Sequence, residues 1–313
     1  MATTSKNNKN GLVELFRFIC SVWVAYYHGF FPVLSDKFDG VNISVDFFFL
    51  VSGLFFLKSI QKYLEKPYWE GVRFIFWGRT KGFIVPLIIA AVSVLICNVM
   101  AEWDFGGFNW PFSFLWFFAA QFVFLSLFYL LLKNVKRQST FNVICVVIIC
   151  ISMSLFRLEI QQLNIVMRGP AMLALGMLLS QIPRIKFNLK DEMKSQRLSI
   201  FVNALGFAIA AVAFVYLAYL PKFAIWKLHL FCCAVCPLLL YFATALPVRS
   251  KFMNLLGEIS VFIYLGQCPI LLHHYFVSED TRDQFPWLIV CTVAMFVLNR
   301  IINSRKSKAV KSA

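Results

Sequence analysis

The sequence predicts an all-α, polytopic integral membrane protein with about ten transmembrane helices. Of its 313 residues, 60% are hydrophobic and only 14% are charged, whereas a soluble domain is close to half apolar and about a quarter charged. Apolar runs long enough to cross a bilayer, roughly 20 residues each, recur along the whole chain. Lys and Arg concentrate in every second connection between these runs.

Ten apolar segments are the predicted spans. They cover approximately 11–34, 41–58, 82–101, 111–132, 140–157, 165–182, 198–219, 224–247, 255–276 and 286–302. The stretch PYWEGVRFIFWGRTKG (67–82) precedes the third span and has the character of an interfacial amphipathic segment. Its aromatic residues fit the belt at the membrane surface. We therefore expect one membrane domain over 1–313, with a core at 11–302 and a basic cytoplasmic tail at 303–313.

The distribution of positive charge orients these spans. The formal net charge is +15, which in a soluble protein would suggest a nucleic-acid partner. The positive-inside rule explains it better, because Lys and Arg collect in loops that stay cytoplasmic. One set of connections carries most of the basic residues, and the alternate set holds only Lys37, Arg157, Arg168, Lys222, Lys227 and Arg282. This alternation predicts cytoplasmic termini, a cell (inner) membrane location, lipid contacts and no nucleic-acid partner.

The cysteines do not predict a metal site or a disulfide framework. Nine are present, mostly within apolar stretches such as ICVVIIC and FCCAVC, and none has metal-ligand spacing beside a histidine. We interpret them as small buried apolar residues. We expect no metal and no tightly bound cofactor.

Several ionisable residues lie within the first two predicted spans. Charges within spans are costly and usually face a cavity or a partner. Glu14 and Arg17 fall near the cytoplasmic face of the first span. His28 lies eleven residues beyond Arg17, which is about 16 Å along a helix and nearly three full turns, so both share one face. The second span returns inward and places Asp46 at about the depth of His28.

Other polar residues extend this pattern to two layers. His229 and Arg168 fall in the outer third of their spans, while Arg79 and Lys81 lie at the cytoplasmic entry to the third. The inner layer is mainly cationic and suits an anionic, phosphate-bearing donor. In the outer layer His28 is a candidate general base on an acceptor hydroxyl, with a carboxylate orienting its ring. Matched depth makes Asp46 the candidate for that carboxylate.

Structural alternatives exist for each of these residues. Arg17 is close enough to the interface to snorkel. His28 is also explained as an interhelical hydrogen-bonding residue, and Asp46 as a local pairing or capping residue. Arg168 is also explained as an interfacial anchor, and His229 as a histidine near an outer helix end.

Three motifs lie in order on the predicted helices. The first span carries Glu14, Arg17 and His28; the second contains ISVDFFFLVSG (43–53), and the ninth contains LGEISVFIYLGQCPILL (256–272). In this combination the chain resembles the membrane-bound acyltransferase 3 family, the polytopic O-acyltransferases of bacterial cell-surface glycans. The matched positions in the second and third motifs are Asp46, Phe48, Ser52, Gly53, Gly257, Ser260, Tyr264, Leu265 and Pro269. The resemblance extends from about residue 11 to 302.

The resemblance implies transfer of an acyl group, commonly acetyl, from cytoplasmic acyl-CoA to a hydroxyl of a cell-surface or lipid-linked polysaccharide. It implies that His28 deprotonates this hydroxyl and that Arg17, with Arg79 or Lys81, holds the donor. A guanidinium suits that role because it stays charged and forks toward oxyanions. Glu14 would position Arg17. The further implied residues are Asp46, orienting His28, and Ser52, Tyr264 and Gln267, contacting substrate.

Two departures from the family pattern stand out. Gln267 occupies the position of a late histidine, so it can form hydrogen bonds but cannot take a proton at neutral pH. Arg79 and Lys81 precede Pro86 at a spacing that differs from the family's basic motif.

A transporter or exporter of a polysaccharide or a small molecule is the alternative from a different functional class. Transporters often contain repeated halves and helices broken by Gly or Pro at corresponding positions. The sequence shows no such repeat, and no break in its first span. An acyltransferase with a soluble acceptor differs from the first hypothesis only in substrate.

Overall fold

The computed structural model describes residues 9–28, 43–105, 112–156, 161–187, 191–219, 225–276 and 281–312. Within these ranges the chain forms eleven α-helices, one 3₁₀ turn at Gln61–Tyr63 and no strand. The α-helices are α1 (Gly11–Tyr27), α2 (Ile43–Ile60), α3 (Tyr68–Thr80), α4 (Ile84–Phe105), α5 (Phe112–Asn134), α6 (Gln138–Phe156), α7 (Gln161–Leu179), α8 (Glu192–Ala218), α9 (Ile225–Ala245), α10 (Lys251–Phe276) and α11 (Thr281–Ser312).

The helices coincide with the predicted segments and support a multi-pass membrane protein. Each predicted span overlaps one of α1, α2 or α4–α11, and the predicted interfacial segment is α3. Six helical stretches in the described residues are long and apolar enough to cross a membrane, or seven if α3 and α4 form one bent span. The six are Ile43–Tyr63, Trp116–Asn134, Gln138–Leu155, Glu192–Ala218, Lys227–Ala245 and Gln284–Ser304. The count of ten spans and the cytoplasmic termini stay predictions.

Two helix ends differ from the predicted boundaries. The helix α1 begins where the Asn10 side chain accepts hydrogen bonds from the N–H groups of Leu12 and Val13, an N-cap. It ends at Tyr27 with His28 as C-cap, so the predicted helix over 11–34 is too long; 29–42 lie outside the described residues. At the other terminus α11 continues to Ser312, beyond the predicted span end at 302, so 303–312 are helical, and the basic cytoplasmic tail stays a prediction.

The helix α3 lies almost at right angles to α4. The angle between them is 86°, and α3 packs on α5, where Gly71 faces the Tyr129 ring. Trp69 and Trp77 on α3 are largely exposed. This direction and these exposed indoles fit the predicted interfacial helix.

The helices α2 and α7 cross at unusually short distance. A Cβ on Gly53 of α2 would overlap the backbone carbonyl of Leu173, and a Cβ on Gly176 of α7 would overlap that of Leu50. Small residues permit such close approach of membrane helices, where packing rather than apolar burial drives association. The two glycines therefore fix the distance between α2, which carries Asp46 and Ser52, and α7.

Replacement of either crossing glycine by alanine should destabilise the bundle. We expect Gly53→Ala and Gly176→Ala each to cost about 2 kcal/mol or more, because the added methyl meets backbone atoms that cannot rotate away. The measurement is the thermal midpoint of the purified protein in detergent. Gly82→Ala is the control, since a Cβ there meets no atom within 4 Å. Equal midpoints for the three variants would contradict this packing.

Candidate functional site

A cavity of about 740 Å³ lies among α1, α2, the α3–α4 junction, α5, α10 and α11. Four of the predicted site residues line it, namely Arg17, Ser52, Arg79 and Tyr264. It reaches the bundle end formed by the start of α1, the ends of α2 and α11, and the α3–α4 junction. We call this the cationic end, because Lys9, Arg79 and Arg300 line the cavity there.

Arg17 is held by an ion pair within α1. Its Nη1 donates to Glu14 Oε2 at 2.9 Å, and the side chain is 30% exposed toward the cavity. Glu14 is nearly buried and packs directly on Gly257 of α10, where a Cβ would overlap its carboxylate. The predicted pairing of Glu14 with Arg17 is confirmed. The pair shields the buried carboxylate while the remaining guanidinium N–H groups stay available.

Arg79, not Lys81, faces the cavity. The Arg79 guanidinium lies 5.8 Å from the centre of the buried Phe56 ring and lines the cavity wall. Lys81 is the C-cap of α3, is exposed, and does not contribute to the lining. The helix periodicity separates them, because residues two apart on a helix face different sides.

Ser52 and Tyr264 occupy the deeper walls of the cavity. The Ser52 hydroxyl oxygen accepts a hydrogen bond from Gln121 Nε2 of α5. Tyr264 of α10 packs its ring against Phe117 and Phe118, with centroids 6.0 and 5.5 Å away. The cavity wall therefore combines one polar hydroxyl on α2 with an aromatic cluster of α5 and α10.

His28 contacts Gln267 of α10. Its Nδ1 lies 2.6 Å from Oε1 of the fully buried Gln267. Gln267 is three residues beyond Tyr264 on α10, about 4.5 Å further along the axis. The contact therefore lies just past the Tyr264 end of the cavity, and His28 itself does not contribute to the lining.

The Gln267 contact selects the tautomer of His28. Gln267 Nε2 donates to the Ile263 carbonyl at 3.3 Å, and the reverse amide orientation would bring two acceptor oxygens together. Its Oε1 therefore accepts, and Nδ1 of His28 must carry the donated proton. In the neutral ring the lone pair is then on Nε2. This nitrogen is the one suited to accept a proton from a substrate.

A buried charge cluster joins α2, α7 and α9. Asp46 Oδ1 accepts from Arg168 Nε at 2.9 Å, and Asp46 Oδ2 lies 3.1 Å from His229 Nδ1. The three side chains are 1%, 10% and 2% exposed. The shared depth predicted for Asp46, Arg168 and His229 thus corresponds to direct contact. Arg168 is not an interfacial anchor but a partner inside the bundle.

The predicted role of Asp46 on the His28 ring is replaced by a different arrangement. Each Asp46 oxygen is engaged by a cation or a ring nitrogen of another helix, whereas Nδ1 of His28 is bound by Gln267. Equal depth on neighbouring helices and the family resemblance were the bases for the predicted contact, and neither specifies which helix faces meet. The histidine that Asp46 orients is His229.

Some lining residues were not singled out from the sequence. Gln121 lies in the motif FLWFFAAQFVF, and a lone amide in a Phe-rich span is the signal that could have identified it. Lys9 and the Arg300–Glu258 ion pair lie at the cavity mouth. Terminal charges of this kind resemble ordinary positive-inside residues in a sequence, so nothing distinguished them.

Removal of the Asp46 carboxylate should destabilise the bundle strongly. Asp46→Leu leaves the Arg168 guanidinium buried without its counter-charge, and we expect a loss of about 3–5 kcal/mol. The double variant Asp46→Leu/Arg168→Met should lose much less, because no buried charge remains unpaired. The thermal midpoint in detergent measures both.

An exposed ion pair on α3 supplies the control. Glu70→Gln breaks the Lys66–Glu70 pair and should cost less than about 1 kcal/mol. A double variant no more stable than Asp46→Leu alone would show that the cluster is not coupled in this way.

Comparison with known proteins agrees with the resemblance that the three motifs indicate. The family model described as "Acyltransferase domain", acyltransferase 3, matches residues 10–308, nearly the whole chain. No curated protein and no solved structure matches the chain. The chain belongs to the acyltransferase 3 family of membrane acyltransferases.

Proposed function

We propose that this protein transfers an acyl group, usually acetyl, from acyl-CoA to a hydroxyl of a cell-surface or lipid-linked polysaccharide. It acts in the cell (inner) membrane with its cationic end toward the cytoplasm. Beyond membership of the family, one structural observation supports this reaction. Side chains from four helices, Arg17, Ser52, Arg79 and Tyr264, converge on a cavity that begins among cations and ends next to the His28–Gln267 pair.

The cationic end receives the donor. Arg17 and Arg79 lie on different helices and face the same cavity, so they bind oxygens of the donor's phosphates or pantetheine arm from two sides. Guanidinium groups keep their charge and supply several N–H donors in a plane. Lys81 is exposed outside the lining and plays no direct part. The thioester end of the donor then points along the cavity toward His28.

The aromatic wall and Ser52 position the acyl end. The Ser52 oxygen accepts from Gln121, so the hydroxyl proton is directed to another acceptor, the thioester carbonyl or the pantetheine amide. Tyr264, Phe117 and Phe118 supply an apolar surface of the same cavity. An apolar wall with few placed polar groups is typical of small-molecule sites.

His28 performs the proton transfers. Its Nε2 accepts the proton of the acceptor hydroxyl as that oxygen attacks the thioester carbonyl carbon. The C–S bond then breaks, the acyl group stays on the acceptor oxygen, and the imidazolium returns its proton to the departing CoA sulfur. Gln267 holds the Nδ1–H throughout, so Nε2 is the nitrogen that titrates.

Asp46 acts by positioning. Its carboxylate neutralises Arg168 and fixes the His229 ring, and these contacts hold α2, α7 and α9 together at the depth where the acceptor meets His28. Preorganised side chains on rigid helices maintain reactive geometry better than mobile loops do.

Transfer of radiolabel from acetyl-CoA to the host's surface glycan tests this function. Membranes with the native protein should label the glycan, and membranes with His28→Ala at matched protein level should lose at least about 100-fold of that rate, since positioned acid–base catalysis supplies this much. Arg73→Ala is the control, because Arg73 is exposed on α3 and does not line the cavity. No labelling by the native protein, with glycan export still dependent on it, would favour the exporter hypothesis.

Substitution of Gln267 should change the rate of acyl transfer through its contact with His28, and this rate should not follow the stability of the variants. Gln267→Glu keeps an acceptor for the His28 Nδ1–H, whereas Gln267→Met keeps the volume without a comparable acceptor. We expect Gln267→Glu to retain more kcat than Gln267→Met although a buried carboxylate costs more stability, with KM for acyl-CoA unchanged in both. The opposite order of kcat, Met above Glu, is what packing alone would give.

A further inference from the structure

A second cavity of about 830 Å³ lies beside the donor cavity at the cationic end. It is bounded by the ends of α1, α2, α5, α7 and α9 and the first residue of α6. Lys9 and Phe55 line both cavities, so the two spaces are neighbours. The Phe55 ring is half exposed and forms part of both walls.

The second cavity carries uncompensated positive charge. Three cations line it, Lys9, Lys58 and Arg184, and in the described part of the chain Glu14 is the one carboxylate of the lining. Glu14 is already bound to Arg17. Lys9 and Lys58 take part in no ion pair among the described residues. The local excess of charge therefore suits an anion with more than one negative group.

Arg184 is held in place without a carboxylate partner among the described residues. Its Nη1 donates to the Tyr241 carbonyl at 2.7 Å, and its guanidinium lies 5.3 Å from the centre of the Tyr241 ring. Burial lowers the pKa of Arg184 from its ordinary value, the direction expected where a charge loses water without gaining an opposite charge. An arginine stays protonated in proteins all the same. A bound phosphate would supply the missing counter-charge.

The site is built on fixed elements. Asn10, next to Lys9, donates through Nδ2 to the carbonyls of Ala243 and Leu246 at 2.9 and 2.8 Å, which ties the start of α1 to the end of α9. Further polar groups on the wall are Gln138, Ser180, Gln181 and Thr244. Charged and hydrogen-bonding groups on rigid helix ends favour a polar anion over an apolar ligand.

We propose that this second cavity binds the phosphate-bearing nucleotide end of acyl-CoA while the pantetheine arm passes Phe55 into the donor cavity. The inference rests on the proposed function. A coenzyme A nucleotide carries several phosphate charges, more than Arg17 and Arg79 can neutralise while they also hold the arm. An anionic phospholipid headgroup offers the same phosphate chemistry from the membrane, and the experiment separates the two sources.

Binding of adenosine 3′,5′-bisphosphate to the purified full chain tests the site. This probe has nucleotide phosphates but no thioester, so its binding does not depend on acyl transfer. In phosphatidylcholine nanodiscs we expect Lys58→Gln and Arg184→Gln each to weaken its affinity about tenfold, the loss of one charge-assisted hydrogen bond. Lys62→Gln and Arg197→Gln, exposed cations outside the lining, are the matched controls and should leave affinity unchanged. Lys58 has no ion-pair partner in the part of the chain that the structure describes, so its variant breaks no salt bridge seen there.

Three outcomes overturn the assignment. One is a probe affinity of Lys58→Gln and Arg184→Gln that equals that of the native protein. Another is a loss of affinity in the control variants as large as the loss in these two. The third is that the probe does not bind and that less phosphatidylglycerol copurifies with Lys58→Gln than with the native protein. That result would show that the cavity binds a lipid headgroup.

Further measurements separate a failure of this site from a failure of the proposed function. His28→Ala should keep probe binding and lose transfer. Native protein that binds the probe but transfers no label refutes the proposed function alone, and Lys58→Gln with native KM for acyl-CoA refutes this site alone.

Discussion

The close packing of α1 against α10 is the constraint on which the rest of the site depends. The two helices run side by side in the same direction, with Gly11 against Met253 and Glu14 against Gly257 near one end. At the other end His28 meets Gln267. Because Gly257 has no side chain, the Glu14 carboxylate fits between the helices and directs Arg17 toward the cavity. One helix pair thus places Arg17 and His28 roughly 16 Å apart, on rigid supports.

The buried charges are arranged so that each is compensated. Asp46 would be strongly destabilising alone in a bundle interior, but Arg168 and His229 occupy its two oxygens from two other helices. Net stability from such a cluster is small, since desolvation opposes the Coulomb attraction. Its consequence is specificity of assembly: α2, α7 and α9 can satisfy these groups in one relative rotation. The glycine crossing of α2 and α7 sets the distance at which the Asp46–Arg168 contact forms.

The cations at the opposite end are arranged differently. Arg17 has a carboxylate partner, whereas Lys9, Lys58 and Arg184 have none in the described residues. An exposed lysine gains little from a partner because water solvates it well, so these charges remain available to a soluble anion. Lys9, Lys58 and Arg184 therefore face the second cavity without an ion-pair partner among the described residues, whereas Arg17 faces the donor cavity from within its pair with Glu14.

Hydrophobicity, charge alternation and motif order in the sequence were sufficient to predict the all-helical membrane fold, the Glu14–Arg17 pair and the family, because each rests on local spacing or composition. Depth along a span also followed from residue number, which is why Asp46, Arg168 and His229 were placed in one layer. Which faces meet within a layer depends on helix rotation and packing between distant segments. The tertiary structure alone therefore decided that Asp46 binds His229 and Arg168, that Gln267 holds His28, and that Arg79 rather than Lys81 faces the cavity.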